Sequence, residues 1–394
     1  MKINLSKFLL FIIITMGINN LSTGHVVNSS LAGYDTTRIY KAMAKARRGE
    51  NITIAVLGGS ITQGYAASSE NTRWANLMTD WWIKTFPKSK VTLINAGIGG
   101  TGSDFGAHRV QDDVFKYNPD FVIVEFSVND HKGAFASETM EGLLRQILVA
   151  PSQPGLMVLC LKQSDGTTAL LSHKPVAEYY GVPVISFAEL IDAQVAKDGI
   201  GLPSIFIDGL HPIDIGMKYI SQFITDELNR IYATLPADDK IKKANMTLPS
   251  PKYSDVFSHT FKYNNSNISF FQNSGWQLNK EGDWYSETPG SEIAFNLEGN
   301  TISIMYSRFK ESKRGMAEAW VDNGEHKVFD SYFTENWGPA KVFGIVGENL
   351  SDGKHVLHIK ILDAHSEGTT GHYFQVLNVL IAGHLTNVNI PTEK

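Results

Sequence analysis

The stretch Ile52-Thr53-Ile54-Ala55-Val56-Leu57-Gly58-Gly59-Ser60-Ile61-Thr62-Gln63-Gly64 runs from a nearly continuous apolar segment straight into a serine flanked by glycines. A short β-branched run without polar alternation suits a strand buried on both faces, as in parallel sheets covered by helices. The same texture returns at 91–95, 121–126, 156–161 and 183–187. Between these runs lie amphipathic segments at 72–85, 105–117, 137–148 and 169–180, long enough for right-handed crossovers. The expected fold class is therefore α/β, with a parallel sheet. A further helix is expected over 36–48, where Ile39, Tyr40 and Met43 share a face and Gly49 supplies a stop. A closing helix is expected over 215–232, with Ile220, Ile224, Leu228 and Ile231 at helical spacing.

Outward from this pattern the texture changes. Residues 235–253 are polar, carry Pro236, Pro249 and Pro251, and suit a linker. Beyond them, alternating runs at 292–297, 301–307, 316–321 and 355–362, separated by Gly, Asn and Asp turns, predict a smaller all-β, sandwich-like part. The expected organisation is a signal peptide over 1–24, an α/β domain over 25–234, a linker over 235–253 and a β-sandwich over 254–394.

Lys2 and Lys7 precede an apolar run over 8–18, and Ser22-Thr23-Gly24 offers small residues for cleavage, so the chain is expected to be secreted or periplasmic. That run is too short to span a bilayer, and no stable membrane insertion is expected after cleavage. Net charge is -5 over 394 residues. Residues 246–394 hold 12 basic and 17 acidic side chains, and the first 245 residues hold 23 of each. Neither half carries the basic footprint of a nucleic-acid binder. The single cysteine, Cys160, lies in an apolar run, so no intrachain disulfide forms and a buried, inert thiol is expected.

Four motifs carry chemistry. Ser60 directly follows a strand, at the carboxyl edge where open α/β sheets place ligands, although Gly-Gly-Ser also suits a plain turn. The run Asn95-Ala96-Gly97-Ile98-Gly99-Gly100-Thr101-Gly102-Ser103 brings backbone N–H groups close to a ligand, serving a phosphate or a developing oxyanion. It also matches the spacing of a dinucleotide fingerprint, but it follows the second strand, and Glu125 lies within the third rather than at its end. Glu125-Phe126-Ser127-Val128-Asn129-Asp130 places an Asn where its amide can donate to the same anion, or simply cap a turn. Asp208-Gly209-Leu210-His211-Pro212 spaces a carboxylate to accept from imidazole Nδ1, leaving Nε2 free to take a proton; the alternative for Asp208 is a helix cap. His355, His358, His365 and His372 have no matching carboxylate frame in the sequence, and no cluster has metal-ligand spacing.

Taken in chain order, these blocks resemble those of SGNH/GDSL hydrolases over about residues 36–232. The resemblance implies a flavodoxin-like α/β/α sandwich and a mechanism without cofactor or metal. It implies Ser60 as nucleophile, His211 as base and Asp208 as its orienting carboxylate. Gly100 and Asn129, with the Ser60 N–H, would form the oxyanion hole, Gly100 by its spacing from Asn95. Gly59 stands where many members have Asp and Ser127 where many have Gly, which places the chain nearer a Gly-Gly-Ser-Ile-Thr branch.

Trp276, Trp284, Trp320 and Trp337 fall in the β-rich part, where exposed aromatics would stack on sugar rings and buried ones would fill a core. The expected activity is a secreted serine esterase removing acetyl or other short acyl groups, with acylated carbohydrate or another small ester as substrate. An O-acyltransferase, a lipid esterase and a non-catalytic carbohydrate-binding protein are the alternatives.

Overall fold

The computed structural model describes residues 33–264 and 268–384; the expected signal peptide lies outside the described residues. Its first part is a five-stranded sheet in the order β2-β1-β3-β4-β5, parallel throughout. The strands are β1 (Ile52–Gly58), β2 (Val91–Gly97), β3 (Phe121–Glu125), β4 (Gly155–Cys160) and β5 (Val184–Ser186). The helices are α1 (Thr37–Arg47), α2 (Ser60–Gln63), α3 (Trp74–Thr85), α4 (Ser103–Asp113), α5 (Ala134–Val149), α6 (Leu170–Tyr179), α7 (Phe187–Lys197) and α8 (Asp214–Ala233). On one face of the sheet, Ile39 and Met43 of α1, Trp82 of α3 and Ile220, Ile224, Leu228 and Ile231 of α8 share a core. On the other, Val110 of α4, Leu143 and Ile147 of α5 and Val176 of α6 pack together. This gives the three-layer α/β/α arrangement expected from the sequence.

Chain order reverses between β1 and β3, so a crevice opens at the carboxyl edge of these two strands. Two expectations change. β2 is only half-buried because it is an edge strand, whereas β3 and β4 are buried at every position. The run at 183–187 contributes only a three-residue strand, and the chain turns directly into α7, whose N-cap Ser186 accepts the Glu189 N–H.

The second part holds β6 (Thr260–Tyr263), β7 (Phe270–Ser274), β8 (Gln277–Leu278), β9 (Trp284–Ser286), β10 (Glu292–Glu298), β11 (Thr301–Arg308), β12 (Met316–Val321), β13 (Lys327–Asp330), β14 (Ala340–Gly347), β15 (Lys354–Ile361) and β16 (Phe374–Ala382). One antiparallel sheet has the order β13-β12-β15-β10-β7; the other runs β14-β11-β16-β9-β8, with β6 beside β16. Inward residues such as Phe295, Ile304, Leu357 and Phe374 form the core of a sandwich.

The segment at 235–253 is no free tether. Arg38 donates to the Asn245 carbonyl at 2.8 Å, and Tyr179 donates to the Ser250 carbonyl at 3.0 Å. At its end, the buried Glu141 carboxylate accepts the N–H groups of Lys252, Tyr253 and Ser254 at 2.6–2.9 Å. Phe257 then enters the α/β core. Its backbone lies so close to Gly142 that a Cβ there would come within 2.3 Å. Phe105 of α4 packs against Met305 and Leu380 of the sandwich, so the two parts share an apolar seam along α4 and α5.

Candidate active site

The Gly58-Gly59-Ser60 turn is built around near-contacts that exclude side chains. A Cβ on Gly58 would lie 2.2 Å from Thr62 Oγ1 and 2.5 Å from the Glu125 carbonyl, and a Cβ on Gly59 would lie 2.2 Å from Asn129 Oδ1. The absence of a side chain at Gly59 therefore leaves room for the Asn129 amide. Ser60 opens the short helix α2, closed by Gly64 at φ +94°. The turn after β2 fits against it: a Cβ on Gly97 would meet the Gln63 N–H at 2.1 Å.

Ser60 Oγ lies 2.8 Å from His211 Nε2, and His211 Nδ1 lies 2.6 Å from Asp208 Oδ2. With Nδ1 protonated against the carboxylate, Nε2 accepts the serine hydroxyl proton. The loop bearing Asp208 and His211 is pinched by a bridge between Phe206 and Pro212 and turns at Gly209, φ +81°. Asp208 Oδ1 accepts the Leu210 and His211 N–H groups at 3.0 and 2.7 Å. Burial pushes the Asp208 carboxyl upward, but these hydrogen bonds and the one from His211 outweigh it and hold it below the ordinary carboxylate range. Asp208 is not the cap of α8, which begins six residues later with Ile213 at its N-cap position. The Tyr65 ring meets the His211 ring edge-on, with centroids 4.4 Å apart.

Gly99 and Gly100 separate in role. The Gly99 N–H donates to Gln63 Oε1 at 3.1 Å, whereas Gly100, at φ +71°, keeps its N–H without a partner among the described residues. Asn129 Nδ2 makes no hydrogen bond among the described residues, and its Oδ1 is buried without a partner as well. The arrangement thus joins a serine, a histidine and a carboxylate in a proton chain, next to two free donors, which suits attack on a carbonyl and support of the resulting oxyanion. All five residues singled out in the sequence come to one corner of the sheet.

Three further groups went unrecognised. Glu125 is fully buried beneath the turn and accepts from Thr62 Oγ1 at 3.0 Å through Oε2, tying α2 to the end of β3, while its Oε1 has no hydrogen-bond partner and the Gly59 and Ser127 N–H groups favour its charged form. Burial raises its carboxyl to about 7, the nearby Asp130 adding to the shift against those groups. Asp130 accepts from Ser103 N and Oγ at 2.8 and 2.5 Å and meets His173 Nε2 at 2.8 Å, locking the Asn129 turn to α4 and α6. Asp130 stood in the quoted motif; its partner His173 has no sequence signal.

The third is Trp337, from the loop between β13 and β14. Its ring lies 3.6 Å from the Cβ position of Gly100. It is 54% exposed, whereas Trp276 and Trp284 are 4% and 7% exposed core residues. Trp320 is stacked between His326 and His358, with centroids 4.0 and 4.8 Å away, so neither face is open to a sugar. The reading of His355 and His358 as lacking carboxylate partners is also corrected: cross-strand folding sets Asp322 2.7 Å from His355 and Glu292 2.9 Å from His358.

The sequence matches the model of the GDSL-like Lipase/Acylhydrolase family over residues 56–219. It is 28% identical over 187 residues to the thioesterase 1/protease 1/lysophospholipase L1 of Escherichia coli (strain K12), covering 45% of this chain and 83% of that protein. It is 22% identical to an arylesterase of Vibrio mimicus, over 44% of this chain and 87% of that one. Among solved structures, a two-domain esterase (CEX) active on acetylated mannans superposes with a TM-score of 0.82 at 29% identity, covering 90% of this chain and 97% of its own. The same esterase co-crystallised with mannopentaose gives a TM-score of 0.81 at 29% identity, over 90% of this chain and 96% of that one.

Proposed function

We propose that this chain, a carboxylic ester hydrolase whose residues 56–219 match the GDSL-like lipase/acylhydrolase family, removes acetyl or other short acyl groups from carbohydrate, with Ser60 as the nucleophile. The observation that carries the reading is the Ser60–His211–Asp208 chain of hydrogen bonds beside the free donors of Gly100 and Asn129. His211 Nε2 takes the Ser60 proton as Oγ attacks the ester carbonyl. The Ser60, Gly100 and Asn129 N–H groups receive the oxyanion, each such donor contributing about 3 kcal/mol in comparable sites. Collapse expels the sugar hydroxylate, which receives the proton from His211 Nε2. Water, deprotonated by the same nitrogen, then releases the acid and restores Ser60.

Carbohydrate is favoured over lipid by the second part of the molecule. Trp337 leaves the sandwich to stand beside the oxyanion donors, where an exposed indole can take the C–H face of a pyranose. The relative active on acetylated mannans matches across both parts rather than the α/β part alone. The residues at 1–24 support export. No helix among the described residues is long and apolar enough to cross a membrane.

The test is acetate release from acetylated manno-oligosaccharides and from p-nitrophenyl acetate by the purified chain. Release from both supports the reading; cleavage of p-nitrophenyl acetate with no release from any acetylated oligosaccharide would remove the carbohydrate assignment.

A further inference from the structure

Beyond the oxyanion corner the crevice opens into a cavity of about 590 Å³ between the α/β part and the sandwich. That is within the ~300–1,000 Å³ of small-molecule sites. Gly100 and Asn129 stand at its inner end, Phe135, Phe343 and Met305 give it apolar wall, and Lys132, Lys327 and Lys341 line it. None of these three forms an ion pair with a carboxylate among the described residues, unlike several lysines elsewhere. Lys45, Lys162, Lys174 and Lys262 each meet a carboxylate within 3 Å. Lys327 has only the Ile345 carbonyl at 3.3 Å, and Lys132 and Lys341 have no hydrogen bond or ion pair among the described residues.

Three carboxyl groups share the cavity, and none of them forms an ion pair with those lysines among the described residues. Asp130 is committed to Ser103 and His173. Asp104 accepts its own helix's Phe105 N–H at 2.6 Å, and burial raises it to about 7, with Asp130 adding to the shift, so it is partly neutral at neutral pH. Glu348 is exposed at the rim. The surplus of unpaired ammonium groups beside aromatic wall fits a ring with an apolar face and one negative charge.

We propose that this cavity is a subsite for a carboxylate-bearing sugar, a uronate unit neighbouring the acylated unit of the glycan; the proposal rests on the esterase reading above. The carboxylate lies among Lys132, Lys327 and Lys341, and the C–H face of the ring lies against Phe135 and Phe343. A dianionic phosphate fits less well: the N–H groups at the start of α4 that would receive it are already held by Asp104 and Asp130, and no arginine lines the cavity to grip it bidentately.

The experiment compares kcat/KM for acetate release from one acetylated uronate-containing oligosaccharide with that from its carboxyl-reduced, re-acetylated counterpart of equal acetyl content. The wild-type chain is expected to favour the carboxylate form at least tenfold at low ionic strength, and the preference should shrink severalfold in 0.5 M salt (roughly a 4–5 Å screening length). In the Lys327→Gln/Lys341→Gln double variant the ratio should fall toward one. Equal or faster cleavage of the reduced substrate, or a preference indifferent to salt, would overturn the subsite. Failure of the esterase reading is separable, because wild-type chain would then not hydrolyse p-nitrophenyl acetate in the same preparation.

Discussion

The indole of Trp337, carried by the β-sandwich, stands 3.6 Å from the Cβ position of Gly100, a proposed oxyanion donor on the other part of the molecule. The sandwich is thereby brought into the wall of the site. Trp337→Ala should raise KM for acetylated oligosaccharides by on the order of 10-fold, the scale of a lost aromatic contact, and by clearly less for p-nitrophenyl acetate. Equal effects on both substrates, measured by initial rates, would show that the indole shapes the oxyanion corner instead of holding sugar.

Asp208→Asn keeps an oxygen for the Leu210 and His211 N–H groups but presents an amide to imidazole Nδ1, favouring the wrong tautomer. Turnover of p-nitrophenyl acetate should fall by roughly 10³–10⁴ while the circular dichroism spectrum and melting temperature stay close to wild type. Normal turnover in a folded variant would remove Asp208 from the proton chain.

Glu125 links protonation to stability. Its folded-state pKa is raised above the ordinary 4.5 to about 7, so the native state binds this proton more tightly than the unfolded chain. The stabilisation is complete below about pH 4.5 and is lost as pH rises through about 7, on the order of 3 kcal/mol at ~1.4 kcal/mol per unit. Urea unfolding of wild type and Glu125→Gln across pH 4.5–8 should show the wild type losing ground as pH rises. A constant difference between them would mean that the carboxyl is not titrating in this window.

Phe257 sets a limit on separating the two parts. Its ring belongs to the α/β core although it follows the polar segment, so Phe257→Ala should cost about 3–5 kcal/mol. The lower melting temperature should still be read from a single calorimetric transition. Two resolved transitions would instead show that the sandwich and the α/β part unfold independently.

The α/β layering was legible because buried parallel strands announce themselves locally, and the site followed because Ser60, Gly100, Asn129 and the Asp208–His211 pair all fall at strand ends or in tight glycine turns. What escaped depended on distant partners. Nothing local to Val91–Gly97 marks it as an edge strand. The four tryptophans look alike in sequence, and only folding buries Trp276 and Trp284, sandwiches Trp320 between two histidines and leaves Trp337 beside Gly100. Similarly, the polar composition of 235–253 reads as a tether, since its hydrogen bonds to Arg38, Tyr179 and Glu141 come from residues more than 70 positions away.

The central claim is that Ser60 carries the acyl group, and the most direct measurement is the kcat of Ser60→Ala on p-nitrophenyl acetate against wild type. The replacement removes only Oγ at a position 8% exposed, so the fold should persist. A fall of at least about 10³ is expected, with the oxyanion donors sustaining what remains. Turnover within a few fold of wild type would contradict the account and move the nucleophile elsewhere.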